Sequence, residues 1–157
     1  MNLTTEHMTR ADAAEILGWR YPYPYDFYNN ETTDESLAEL LDGTYRSVRD
    51  EKGKLFGYFC TGNSALVPAG QKHGVYPNGF IDFGLGMLPA ETGQGKGSEF
   101  FAYVRQEIHV SQPTKPLRLT VAAFNKRAIR LYENFGFELD KEFETDFAKF
   151  RTMVEIR

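Results

Sequence analysis

Of its 157 residues the chain has one cysteine, Cys60, and three histidines, His7, His73 and His109. A single thiol closes no disulfide within the chain. The histidines stand too far from one another and from Cys60 to share a zinc-type spacing, so no metal is expected. Basic residues are also in short supply: Lys plus Arg is 18 against 22 Asp plus Glu, for a net charge of -4 and a pI near 5.4. Proteins that grip nucleic acid by its phosphates usually carry the opposite balance, so that class is set aside. No apolar run approaches the roughly 20 residues of a membrane-spanning helix, and residues 1–10 lack the apolar core of a signal peptide. The expectation is a soluble, cytoplasmic protein with no nucleic-acid or membrane partner. Internal repeats and Ser/Gly-rich linkers are missing too. Residues 1–157 therefore read as one domain, for which the length is suitable.

What is present is a folded chain's share of core formers, 41% hydrophobic and 15% aromatic. Thr9 predicts the cap of a helix from Arg10 to about Leu17, ended by Gly18. The stretch Trp19 to Tyr28 is aromatic and broken by Pro22 and Pro24, so it cannot be a regular helix. Thr32 or Thr33 restarts a helix carrying Leu37, Leu40 and Leu41, with Gly43 as its stop. Tyr45 to Arg49 and Leu55 to Thr61 read as a hairpin around Asp50-Glu51-Lys52-Gly53. Gly62 to Asn78 reads as a surface loop, Phe80 to Leu88 as a third strand, and Gly97 to about Val110 as a helix. Leu117 to Val121 is a short strand, Asn125 to Asn134 a helix, and Phe137 to Phe143 and Ala148 to Ile156 close the chain as strands. On the last strand Ala148, Phe150, Thr152, Val154 and Ile156 alternate onto one expected face. This order predicts an α/β (α+β) fold, a mixed sheet covered by helices.

The third strand leads into Leu88-Pro89-Ala90-Glu91-Thr92-Gly93-Gln94-Gly95-Lys96-Gly97. Glycines allow a tight turn and a close approach to backbone amides. The helix that follows opens with unpaired N–H groups and a partial positive charge. Together these suit a phosphate or diphosphate. Two nucleotide patterns fail on spacing. A Walker A loop needs Ser or Thr directly after Gly-Lys, but Gly97 follows Lys96; the dinucleotide fingerprint needs a third glycine where Ser98 stands. A glycine-rich helix entry that binds nothing is the alternative.

The turn resembles the acyl-coenzyme A loop of the GNAT N-acetyltransferase superfamily, Arg/Gln-x-x-Gly-x-Gly/Ala. Gly95 and Gly97 take its two small positions, Pro89 sits where many members have a proline, and Thr92 replaces the Arg/Gln. A second segment, Leu119 to Phe137, is similar to the superfamily's strand–Asn–helix–Tyr–Gly-Phe stretch, with Asn125, Tyr132 and Gly136-Phe137 in place. The two segments cover roughly the C-terminal half in the expected order. The resemblance implies a mostly antiparallel GNAT-like central sheet and transfer of an acetyl group from acetyl-CoA to an amine acceptor. It implies a carrier lying along Leu85, Met87, Leu88, Thr92, Gly93, Gln94, Gly95, Lys96, Gly97 and Ser98, with Asn125 and Tyr132 beyond them. Dimers are common in the superfamily, so a homodimer is the corresponding expectation.

The chemistry asks for two groups. A lysine-like amine has a pKa near 10.4, so about one molecule in a thousand is nucleophilic near pH 7.4, and a base helps. The leaving thiolate, with a conjugate acid near 8.5, is helped by an acid such as tyrosine. Tyr132 is the candidate acid, two helical turns after Asn125 and on the same side; its alternative is a packing role. Asp82 is the candidate base or amine anchor, because it shares a strand face with Gly84 and Gly86, which would leave open space beside a charge. Its alternative is a buried aspartate bonded to a nearby loop, with the glycines marking a bulge. The stretch Trp19 to Tyr28 lies where members of that superfamily often shape the acceptor pocket, so the resemblance makes Trp19, Tyr25 and Tyr28, with Asp82, candidate acceptor-binding residues, through cation–π contacts worth about 0.5 to 2 kcal/mol each; the alternative is an aromatic loop that only packs over the sheet. Cys60 has no paired histidine and makes a poor acyl carrier, which favours direct attack in a ternary complex. The rival from another class is a non-catalytic acyl-CoA-binding sensor or interaction module on the same fold.

Overall fold

The computed structural model describes residues 1–156; residue 157, which closes the expected domain, lies outside them. The elements are β1 (Thr4–His7), α1 (Arg10–Leu17), α2 (Asp34–Leu40), β2 (Tyr45–Arg49), β3 (Leu55–Thr61), α3 (Pro68–Lys72), β4 (Ile81–Met87), α4 (Gly97–Ser111), β5 (Leu117–Ala122), α5 (Lys126–Asn134), β6 (Phe137–Glu144) and β7 (Lys149–Glu155). Short 3-10 turns occupy Tyr25–Tyr28, Gly62–Ala65 and Pro89–Glu91. The strand order is β1-β2-β3-β4-β5-β7-β6. β1–β2, β2–β3, β5–β7 and β6–β7 are antiparallel, and β4–β5 is parallel. This is the expected α/β class, a mixed and mostly antiparallel sheet with helices.

Local chemistry sets the boundaries. The Thr9 hydroxyl accepts from the Asp12 amide at 3.1 Å, and Thr33 accepts from Ser36 at 3.0 Å. Each such cap is worth about 1 kcal/mol. In the β2–β3 turn Asp50 accepts from the amides of Lys52 and Lys54 at 2.9 and 3.0 Å. Gly53 supplies the left-handed residue, φ +79°.

Packing divides the chain into two units. The first is Met1–Cys60 with Leu85–Glu107; the second is Thr61–Gly84 with the chain from Ile108 on. Neither is contiguous in sequence, since β4 and α4 each contribute residues to both. In the first unit Phe56, Phe100, Phe101 and Val104 are buried with the apolar side of α1. A Cβ on Gly57 would stand 2.5 Å from the Phe100 ring, so that glycine makes room for α4 against β3. Buried Asp12 ties α1 to β2, accepting from Arg49 at 2.7 Å and from Ser47 at 2.9 Å. In the second unit Phe83, Leu117, Phe137 and Met153 form a buried centre, with Phe83 and Phe137 rings 6.1 Å apart. The buried carboxylate of Glu155 lies 3.1 Å from Nε2 of His109 and accepts from the Leu117 amide at 3.3 Å.

Four expectations are corrected. β1 stands where only a polar terminus was expected. It is nearly all exposed and shows no apolar alternation, and it exists because β2 supplies its ladder from Thr4↔Arg49 to His7↔Arg46. The expected loop from Gly62 to Asn78 contains α3, whose Pro68 sits in the first turn, where its missing N–H costs nothing. α2 stops at Leu40, with Leu41 as its cap. β7 does not keep one buried face: Thr152, Met153 and Glu155 are buried while Ile156 is 57% exposed. β7 is paired on both edges, by β5 and β6, and its buried positions fall on both faces.

Candidate active site

At the end of β4 two backbone groups are already used. The Leu88 amide donates to the Phe56 carbonyl at 2.8 Å, and the Tyr21 hydroxyl donates to the Met87 carbonyl at 2.8 Å. Pro89–Glu91 then makes a single 3-10 turn, closed on the Pro89 carbonyl by the Thr92 amide at 3.2 Å and by its hydroxyl at 2.6 Å. Thr92 is thus spent on the turn itself. Gln94 braces the turn too, donating to the Ala90 carbonyl at 2.7 Å.

Beyond Thr92 the backbone opens. Gly93 and Gly95 have φ of +72° and +76°, a region that favours glycine. A Cβ on Gly95 would meet nothing within 4 Å. The first i→i−4 bond of α4 runs from the Phe100 amide to the Lys96 carbonyl, 3.1 Å. Among the described residues the amides of residues 93–97 donate to no protein acceptor. A run of bare amides at the start of a 15-residue helix attracts an anion, through directed hydrogen bonds and the helix dipole together. Ser98 is exposed in its first turn. Lys96 pairs with Glu91, which also lies 3.2 Å from Lys54. The hydrogen bonds from Lys96 and then Lys54 hold the Glu91 carboxyl below the usual glutamate range.

Asp82 is differently placed. β4 and β5 are in register at Ile81↔Leu117 and Asp82↔Arg118, and β4 runs on to Met87. Arg118, 2% exposed, donates from Nε and Nη2 to the two Asp82 oxygens at 2.7 and 2.8 Å, and from Nη1 to the Pro77 carbonyl at 2.9 Å. Its guanidinium lies 5.2 Å from the Tyr76 ring centre and 4.9 Å from that of Phe80. The space expected beside Asp82 is also partly filled. At Gly86, further along the same strand face, a Cβ would come within 2.4 Å of the Tyr58 ring, so that glycine makes room for an aromatic. Asn125 caps α5, accepting from the Ala128 amide at 3.1 Å, and half-buried Tyr132 lies two turns along the same helix.

The aromatic stretch divides by burial. Tyr25 and Tyr28 sit in the 3-10 turn, Tyr28 at 36% exposure with its ring edge-on to Phe27. Trp19 is buried, and its indole N–H has no hydrogen-bond partner. Its ring stands 6.0 Å from Tyr58, which stands 6.2 Å from Tyr45. Burial pushes the Tyr58 hydroxyl up to about 12 and those of Tyr21 and Tyr45 above the ordinary phenol range.

No protein-family model matches the sequence, and no curated protein does. Solved structures match over nearly the whole chain. A Vibrio cholerae spermidine N-acetyltransferase SpeG chimera superposes with a TM-score of 0.70 at 20% identity, covering 98% of this chain and 95% of that one. The aminoglycoside acetyltransferase AAC(6')-Ib, in complex with coenzyme A, gives 0.72 at 18% identity over 99% and 95%. The fold is that of the GNAT acetyltransferases.

Within this GNAT fold three residues not singled out by the sequence pattern border the groups just described: Arg118, Tyr45 and Tyr58. Arg118 was detectable as a lone cation inside the apolar run Leu117 to Val121, where burial of a charge demands a partner. Tyr45 and Tyr58 carried no signal of their own, because aromatics on a hairpin read as ordinary core. Among the described residues no cluster of three or more His, Cys, Asp or Glu side chains could hold a metal, and no helix is long and apolar enough to cross a membrane.

Proposed function

We propose that the chain is an acetyl-CoA-dependent N-acetyltransferase that acts on a primary amine by direct attack in a ternary complex. The observation that carries this reading is the run of bare amides at residues 93–97 ahead of α4, in a fold shared with acetyltransferases. These amides would hold the carrier's diphosphate, and the side-chain-free approach at Gly95 and Gly97 suits its bulk. Leu85, Met87 and Leu88 would flank the pantetheine arm. Asn125 would position the carrier, and the Tyr132 phenol would donate its proton to the leaving thiolate.

Deprotonation of the amine is assigned to water, not to Asp82. Removing the proton from an amine of pKa near 10.4 at pH 7.4 costs roughly 4 kcal/mol, and a water chain would carry that proton out to bulk solvent. Both Asp82 oxygens already accept charge-assisted bonds from Arg118, which tie the carboxylate to β5. Asp82 is therefore read as holding β4 in place.

Acetyl-CoA added at about 100 times its Kd should stabilise the protein by about 2.7 kcal/mol, a rise in Tm of roughly 5 to 10 °C. No shift at saturation would remove the cofactor from the account. Turnover is then read as free coenzyme A released across a panel of amines. Tyr132→Phe should lower kcat by on the order of 100-fold at neutral pH and by less at high pH; an unchanged rate at every pH would exclude the acid role. The replacement of the expected Arg/Gln by Thr92 favours one second reading, an acyl-CoA-binding module without turnover. Binding without release of coenzyme A from any amine would select it.

A further inference from the structure

The lysine inside the bare-amide run is already engaged. Lys96 Nζ donates to Oε2 of Glu91, and Lys54 Nζ donates to Oε1 of the same carboxylate at 3.2 Å. Glu91 therefore bridges two ammonium groups, one from the glycine turn and one from the residue before β3. The backbone beneath each end is fixed. The Glu91 amide donates to the Leu88 carbonyl at 2.9 Å, and the Lys54 amide donates to the Asp50 carboxylate at 3.0 Å. Only the side chains are left to move.

Two oxygens each facing one ammonium group is also how a phosphate is held between two lysines. Glu91 thus supplies, from within the chain, the kind of anion that the amides of residues 93–97 are suited to take from a ligand. The pairs are open to exchange. The Lys54 and Lys96 side chains are 51% and 40% exposed, so water competes for both and neither pair binds strongly. A diphosphate carries more charge than one carboxylate, and at this turn it would stand beside Glu91 as a like charge. Both effects favour passage of the lysines from Glu91 to the ligand. Glu99 gives the contrast. It lies in the first turn of α4, but its carboxylate faces the terminal amine at 3.7 Å and, among the described residues, no lysine.

We propose that Glu91 is an internal competitor for the phosphates of the ligand at this turn, holding Lys54 and Lys96 in the free chain and yielding them when a diphosphate binds. Affinity at the turn is then set by this exchange as well as by the amides. That the ligand is coenzyme A rests on the acetyltransferase reading; the exchange itself needs only a diphosphate.

The test is calorimetric titration of the intact chain with coenzyme A and, separately, with inorganic pyrophosphate. Glu91→Gln should tighten both ligands at least about threefold by freeing two cations and removing a like charge. Glu99→Gln removes a charge from the same helix start without freeing a lysine, and should change Kd by less than about 1.5-fold. Lys54→Met combined with Lys96→Met should weaken both ligands at least about fivefold. In that background Glu91→Gln should tighten them by less than about 1.5-fold, because the partners it competes through are gone. An unchanged or weaker Kd in Glu91→Gln would overturn the proposal, and so would equal tightening with and without the lysines. If pyrophosphate follows the cycle and coenzyme A does not bind, the carrier reading has failed and the exchange at Glu91 stands. If coenzyme A binds and the cycle is flat, the exchange has failed and the carrier reading stands; if neither ligand binds, both fall.

Discussion

Asp82 and Glu39 are carboxylates with aromatic rings close by, one in each unit, and they differ in what they are already bonded to. Asp82 receives two short bonds from a buried guanidinium that itself lies over Tyr76 and Phe80 and donates to Pro77. Glu39 is exposed at the rim of an open pocket beside Tyr45 and Tyr58, and among the described residues it has no ion-pair partner. A buried, paired charge is part of the scaffold, whereas an exposed one is satisfied by solvent and holds nothing in place. The glycine turn shows the same division along a single segment. The amides of Leu88 and Thr92 are consumed by the protein's own carbonyls, and those of residues 93–97 are not.

The comparison is broken most forcefully at Arg118. Arg118→Leu leaves the half-enclosed Asp82 without its partner and should cost about 3 to 5 kcal/mol, a fall of roughly 10 °C in Tm. Arg118→Leu combined with Asp82→Leu should recover most of that loss. A double variant as unstable as the single one would show that the pair does not compensate itself. Next in size is Gly86→Ala, whose Cβ would collide with the Tyr58 ring at 2.4 Å. Displacing the ring should cost about 1 to 3 kcal/mol and alter Trp19 emission, measured together by chemical denaturation.

A smaller effect comes from Tyr58 at high pH. Its folded pKa is raised from 10 to about 12 by burial. The stabilisation it gives is therefore whole below pH 10 and fades as the pH climbs toward 12. Tm measured from pH 8 to 12 should fall less steeply in Tyr58→Phe than in the parent chain; parallel curves would contradict the shift. The smallest effect belongs to Glu91, whose pKa is lowered by Lys96 and Lys54. Its contribution is present above the unfolded value near 4.5 and is lost as the pH falls through the lower folded value. Acidification below pH 4.5 should therefore lower Tm more in the parent chain than in Glu91→Gln.

Elements whose signals are local were legible in the amino-acid order. The caps at Thr9 and Thr33, the β2–β3 hairpin and the glycine turn depend on residues a few positions apart, and they stand where their chemistry places them. β1 was not legible, because its hydrogen bonds come from a strand about 40 residues away. The one-faced alternation expected of β7 failed for a related reason, since its buried residues Thr152, Met153 and Glu155 fall on both faces, set by packing from distant parts of the chain. At the site, the bend and its exposed amides followed from glycine spacing alone. The surroundings of Asp82 did not, because Arg118 meets it only through parallel pairing of two strands far apart in the chain.

The sequence by itself determined the class of fold, the position of the phosphate-type turn and the chemistry each side chain has to offer. Only the tertiary structure decided which of those side chains are already bonded to one another. A residue's functional groups are written in its identity, but whether they remain available depends on partners that the folded backbone brings within about 3 Å.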